Sequence, residues 1–300
     1  MPGLLHLAAA VGRPDEHDLD ALVAAVRLAE RGGLDFVTFG DPAAPAGPDE
    51  LAALPAVAAA TERVGLVPAL PAGPGGVLES GVPGTGVAEA GVPELGVPER
   101  GVPEAVEELD RVSRGRAGWW SDAAARPAGG AGSGEPVSGA RPVRVVGATG
   151  ARDAAARCAD VVLVQAGGAA QAAALRAELR APAAGSGRDP DGLRVLASLL
   201  VDLDGEYAAE RGHGGGGPRL TPRGPLYRGG PVDLAELIAS WHAEGAVDGF
   251  HLTPVDPRRD LERLVNGTVA LLQHRALFRT FYPGGTLRDH LGLARPRALT

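Results

Sequence analysis

The chain has 300 residues, 45% of them apolar but only 4% aromatic, so its core is built from Ala, Leu and Val and is large enough for one big domain or two ordinary ones. A formal net charge of −8 argues against a general nucleic-acid or anionic-membrane surface, and no apolar run is long enough to span a bilayer. One cysteine, Cys158, excludes an internal disulfide or a thiolate metal cluster, and the absence of lysine among the 29 basic residues excludes Schiff-base, P-loop and protein-kinase sites. The opening MPGLLHLAAAVG lacks a basic start and reads as a strand and not a signal peptide, which makes the cytoplasm the expected compartment.

Apolar runs and helical patterns then alternate. Leu4–Val11 reads as a strand; Leu19, Leu22, Val23 and Val26 follow at helical spacing, and Arg31-Gly32-Gly33 closes that helix. Phe36–Phe39 is a second strand, Asp49–Thr61 a second helix and Val64–Leu70 a third strand. A five-residue Gly-Val-Pro repeat fills Ser80–Val106, where recurrent Pro forbids a continuous helix, and Pro103–Ser113 resumes as a short one. Ala117–Trp120 is strand four and Val143–Ala148 strand five, with helix Ala151–Ala159 behind it. Val161–Gln165, helix Ala169–Leu179 and strand Leu193–Leu203 come next; Leu234, Leu237, Ile238 and Trp241 mark another helix. Gly249–Thr253 is strand eight, and Leu261, Leu264, Val265, Thr268 and Leu272 mark the last helix.

Eight strands, nearly all followed by helices, predict an α/β chain folded as a (β/α)8 barrel, a single domain over 1–300. A doubly wound sheet is the weaker alternative, because no Gly-x-Gly-x-x-Gly turn follows the first strand. The helix-to-strand connections are short, whereas 71–104, 121–142 and 204–231 are low-complexity strand-to-helix loops, which a barrel places on its C-terminal face. No helix is expected between strands four and five, since Ser121–Arg141 is mostly Gly, Ala, Pro and Ser.

LAERGGLDFVTFGD (28–41), ATERVGLVPAL (60–70), LDRVSRGRAGWW (109–120) and the C-terminal Gly249–Leu293 together resemble the luciferase-like superfamily of flavin-dependent oxidoreductases and monooxygenases, in particular its nitrilotriacetate and dibenzothiophene-sulfone branch. The resemblance implies a barrel enzyme in which reduced FMN, delivered by a separate flavin reductase, reacts with dioxygen to oxidise a small organic substrate; the deazaflavin F420 is the variant cofactor. It also implies a homodimer through helices two and three. Asp41 would stand near the flavin or simply precede a helix, and the Ala148-Thr149-Gly150 turn resembles the family's flavin-phosphate seat, with Arg152 able to pair with phosphate or stay solvated. Trp120 stands where the family has Asn or Gln, and would either stack on a ring or fill the core.

Pro71-Ala72-Gly73-Pro74 lacks the Thr and His the family carries after strand three. A non-catalytic flavin-binding subunit and a merely structural role are therefore the competing functions. His251 is a weak candidate base, and His6 another inward-facing imidazole; each reads equally as a hydrogen-bonded core residue. The seven histidines show no metal-ligand spacing, and no metal site is expected. Limited proteolysis should cut within Gly73–Arg100 and Arg211–Gly230 while the remainder stays associated; uniform resistance in both tracts would refute the loop assignment.

Overall fold

The computed structural model describes residues 3–11, 19–40, 48–70, 104–122, 141–148, 152–185, 187–204 and 217–294. Strands β1 (His6–Ala10), β2 (Phe36–Phe39), β3 (Gly65–Pro68), β4 (Gly118–Asp122), β5 (Val143–Gly147), β6 (Val161–Val164), β7 (Arg194–Asp202) and β10 (Gly249–Pro254) run parallel in the order β3-β2-β1-β10-β7-β6-β5-β4. Two parallel bridges, Leu66 to Ala117 and Ala69 to Trp120, bring β3 back to β4 and complete the ring. The expected eight-stranded barrel is the observed one.

Helices α1 (Leu19–Arg31), α2 (Pro48–Ala60), α3 (Glu104–Ser113), α4 (Arg152–Cys158), α5 (Ala169–Gly185), α6 (Pro231–Ala243), α7 (Pro257–Arg263) and α8 (Ala270–His274) follow the strands, with a short α9 (Leu287–His290) near the end. Strands this short are apolar on both faces because each is buried twice. One face packs on the helices, through residues such as Val37, Leu66, Val162, Val195 and Phe250. The other fills the barrel with Ala8, Phe36, Val67, Val145, Leu163 and Leu196.

The seam between β3 and β4 has little ladder of its own and is held from outside by Arg116, only 3% exposed. Its guanidinium donates from Nη1 to Thr61 Oγ1 and Val64 O, from Nη2 to Ala58 O and Thr61 O, and from Nε to Ser113 O, at 2.8–3.1 Å. Burial pulls the pKa of Arg116 down and Glu30 works against that shift, yet a guanidinium stays charged throughout the range in which proteins fold. Five donors in one planar fork thus tie the end of α2, the start of β3 and the end of α3 to the start of β4.

The base of the barrel is plugged by the C-terminal segment. Leu287 and Leu291 are fully buried and Leu293 nearly so, all within the inner cluster. A Cβ on Gly65 would stand 2.6 Å from Leu287 Cδ1 and 2.9 Å from Phe36 Cβ, so glycine at the start of β3 leaves room for the plug to seat. Polar clamps fix it: Leu287 N donates to Gly115 O, Arg194 Nε to Leu291 O, and Arg279 Nη1 to Asp35 Oδ1 at 2.8 Å. Burial opposes the charge of Asp35, but His6 and Arg279 hold its carboxyl below the usual range.

Three features depart from the sequence reading. Helix α5 runs on past Leu179 to Gly185. The last helix is divided by a π-helical turn, Leu264–Val269, within which Gly267 lies under Pro231, where a Cβ would meet the proline ring at 2.6 Å. Within the tract 204–231, β8 (Arg219–Thr221) and β9 (Gly224–Arg228) form a hairpin, and β9 pairs with β7 along Leu200–Asp202. That pairing removes Arg219–Arg228 from the stretch expected to be cleaved. The expectation of no helix between strands four and five falls on 123–140, outside the described residues.

Replacing Arg116 by Ala should destabilise the protein by about 3–5 kcal/mol, since several charge-assisted hydrogen bonds are lost and buried carbonyls are left unpaired. Urea unfolding monitored by far-UV circular dichroism measures this; a change under about 1 kcal/mol would show that the seam does not depend on the fork.

Candidate functional site at the barrel mouth

Side chains alternate across each strand, so inner-face residues rise in layers from the plugged base toward the strand C-termini. In the upper layers the register sets His251 of β10 beside Ser198 of β7 and Ala8 of β1. Across the barrel, His251 Nε2 lies 2.9 Å from Thr38 Oγ1 of β2, while Nδ1 lies 3.4 Å from Ser198 Oγ. Phe36 stacks against the imidazole with centroids 6.5 Å apart, and Trp120 of β4 meets it edge-on at 5.4 Å. Burial alone pushes the pKa of His251 down to about 4. It is therefore a neutral imidazole at neutral pH, with one nitrogen donating and the other accepting between two hydroxyls that can each do either.

Trp120 joins the inner cluster as a partly buried side chain, and its Nε1 is buried without a hydrogen-bond partner among the described residues. That nitrogen faces Gly147, the last residue of β5, where a Cβ would stand 3.6 Å away. Nearby inner-face positions are small: Ala10 on β1 and Ala69 just after β3.

The other candidates scatter. Asp41, Thr149 and Gly150 fall outside the described residues, although β2 is followed by Gly40 with φ 74. The backbone N–H of Ala148 donates to Leu163 O and belongs to the sheet. Arg152 extends along α4 to Glu178 of α5, 2.8 Å away, with both side chains about half exposed. His6 lies at the opposite end of the barrel from the mouth, 3.2 Å from Asp35. The structure thus brings together Trp120 and His251 and adds Thr38 and Ser198, which sequence reasoning passed over. Their signal was a lone hydroxyl inside each of two apolar strands, FVTF and RVLASLLVD.

Above this floor, on the β7–β10 side, the rim is charged but internally paired. Asp202 accepts from Arg228 at 3.2 Å and from Arg259 at 3.0 Å, and Asp204 lies 3.6 and 3.7 Å from Arg259 and Arg263.

No family model matches the chain. Over 69 residues it is 46% identical to component A of nitrilotriacetate monooxygenase from Aminobacter aminovorans, a stretch that is 23% of this chain and 15% of that protein. Over 73 residues it is 38% identical to the dibenzothiophene-sulfone monooxygenase of Rhodococcus erythropolis, 24% of this chain and 16% of that one. The matched sequence therefore spans only about a sixth of the relatives' length. In fold, the EDTA monooxygenase of Chelativorans sp. BNC1 matches with a TM-score of 0.71 at 15% identity, covering 98% of this chain and 99% of that one. The chain thus shares its barrel fold with a monooxygenase, and short stretches of its sequence are similar to two others. A second structural neighbour, the F420-dependent tetrahydromethanopterin reductase of Methanopyrus kandleri, matches with a TM-score of 0.57 at 12% identity, over 90% of this chain and 99% of that one.

The depressed pKa of His251 has a signed consequence. The unfolded chain takes up a proton near pH 6.5 and the folded one only near 4, so stability falls as pH drops between those values, by about 3 kcal/mol for this group. His251→Gln should flatten that part of the pH–stability curve, measured by urea unfolding at several pH values. An unchanged slope would mean that His251 is not held neutral.

Proposed function

We propose that the chain is a flavin-dependent monooxygenase that works with a separate flavin reductase and oxidises a small organic substrate at the mouth of the barrel. The observation that carries this reading is the floor of that mouth: Trp120 and His251 in edge-to-face contact, with neutral hydroxyls beside them, in a barrel whose sequence relatives are monooxygenases. An aromatic, uncharged floor fits the flat ring system of FMN, and an unpartnered indole N–H is a place for one of its acceptors. When bound, reduced FMN supplies the electrons that activate dioxygen.

The chain's own residues bind, orient and shelter. The plugged base excludes water from below, and a His251 that remains neutral offers no ready acid to the floor at neutral pH. Asp41 and the turn Ala148-Thr149-Gly150 remain our candidates for the flavin edge and its phosphate. With the Ala148 N–H committed to the sheet, the amides of Thr149 and Gly150 would carry the phosphate contact. Arg152 can join them at small cost, because an exposed pair such as Arg152–Glu178 is worth about 0–1 kcal/mol. Sequence relatives that are monooxygenases support FMN over F420.

A non-catalytic flavin-binding subunit is the second reading, favoured because the described floor holds no charged side chain. Titration with FMN, followed by anaerobic reduction and exposure to oxygen with candidate substrates, separates the two. We expect altered flavin fluorescence on binding and substrate oxidation that requires both protein and reduced flavin. Binding without oxidation would favour the second reading, and no flavin response at high micromolar protein would remove both.

A further inference from the structure

Most polar atoms of the mouth have found partners. Both nitrogens of His251 are taken up by Thr38 and Ser198, and the rim arginines Arg228, Arg259 and Arg263 face Asp202 and Asp204. Trp120 Nε1 stands apart. It is buried, it has no partner among the described residues, and an indole nitrogen can only donate. The other unpartnered buried atoms belong to side chains on the outer face or at the base, such as Arg144, Ser121 and His290. A donor stripped of water and given nothing in return calls for an explanation, and completion by a ligand is one that also accounts for its surroundings. The approach to Nε1 passes over Gly147, which has no side chain to block it. The neighbours are neutral, so an ionic group would find no counter-charge there.

Resting on the reading of the mouth as a ligand site, we propose that Trp120 Nε1–H is the recognition donor for a neutral, planar ring bearing a hydrogen-bond acceptor. Its ring lies edge-on to His251 and sets Nε1 against the end of the neighbouring strand β5, so the ligand's acceptor sits over Gly147. A flavin ring carries such an acceptor, and so does an aromatic substrate with a carbonyl or sulfone oxygen. The chemistry of recognition is the same, and binding experiments distinguish the two sources.

Two variants address the donor independently. Trp120→Phe keeps an aromatic ring and removes the N–H. Gly147→Ala keeps the indole and places a methyl in ordinary van der Waals contact with Nε1, at 3.6 Å, without strain elsewhere. FMN, riboflavin and dibenzothiophene sulfone serve as probes, titrated by fluorescence and calorimetry. The Nε1–H resonance of Trp120 is followed in 15N-tryptophan-labelled protein and assigned by its loss in Trp120→Phe. We expect at least one probe to bind the wild type, to shift that resonance, and to bind each variant about tenfold more weakly, as loss of one hydrogen bond predicts. Equal weakening of FMN and riboflavin assigns the donor to the flavin ring; weakening of the sulfone alone assigns it to the substrate. Flavin binding that is unchanged in both variants, with the indole resonance unmoved, overturns this proposal and leaves the proposed function standing. Sulfone binding that depends on Trp120, with no flavin binding, does the reverse. Failure of all three probes to bind the wild type overturns both.

Discussion

A ring of parallel strands exists only if its last seam closes, and here that seam rests on one side chain. Between β3 and β4 the backbone supplies two isolated bridges where the other neighbours have ladders. The fork of Arg116 supplies what the backbone lacks, satisfying carbonyls at the ends of α2 and α3 and at the approach to β3. A lysine could not substitute, because a single ammonium has three donors and no planar spread. In a chain without lysine, the seam is one place where arginine's geometry is required and not merely tolerated. Trp120, the residue on which the mouth turns, is itself a bridge partner in that seam, so closing the ring and placing the indole are one event.

The two ends of the barrel obey different rules. At the base, Leu287, Leu291 and Leu293 fill the interior, and charged groups are matched: Asp35 with His6 and Arg279, Asp160 with Arg288. Removing one member would strand a buried charge, which is the situation folded chains avoid most strongly. At the mouth, the described inner face is aromatic and neutral, with a donor left open. Leucine filling and paired charges mark the end that stabilises, and a neutral aromatic lining with an open indole donor marks the end available for binding. Such a division suits a cofactor enzyme, in which the protein contributes orientation and dryness more than acids and bases.

The strands were legible because each is buried on two sides, and a doubly buried strand writes itself as a short unbroken apolar run between turn residues. The helices α1 and α6 were legible through their period, with Leu22 and Val26, or Leu234 and Ile238, on the packed face. The β8–β9 hairpin was not, because Gly and Pro dominate the tract around it and its strands are only three and five residues long. What orders it is the free edge of β7 beyond the end of β6, a tertiary fact absent from local sequence. The site was half legible. Trp120 and His251 could be singled out as residue types, but nothing local reveals that β2, β4, β7 and β10 aim Thr38, Trp120, Ser198 and His251 at one another. His6 shows the converse, since it shares with His251 an inward orientation and lies at the other end, held by Asp35.

The plug has a temporal side as well. All eight barrel strands can leave the ribosome while the cavity beneath them is still open to water, because the leucines that fill it come from 287–293. Local helix–strand units are free to form early, but the interior dries only once residues 287–293 have been made. Synthesis order thus makes the filling of this barrel later than the making of its strands, and a product interrupted before residue 287 would expose the apolar lining that chaperones recognise.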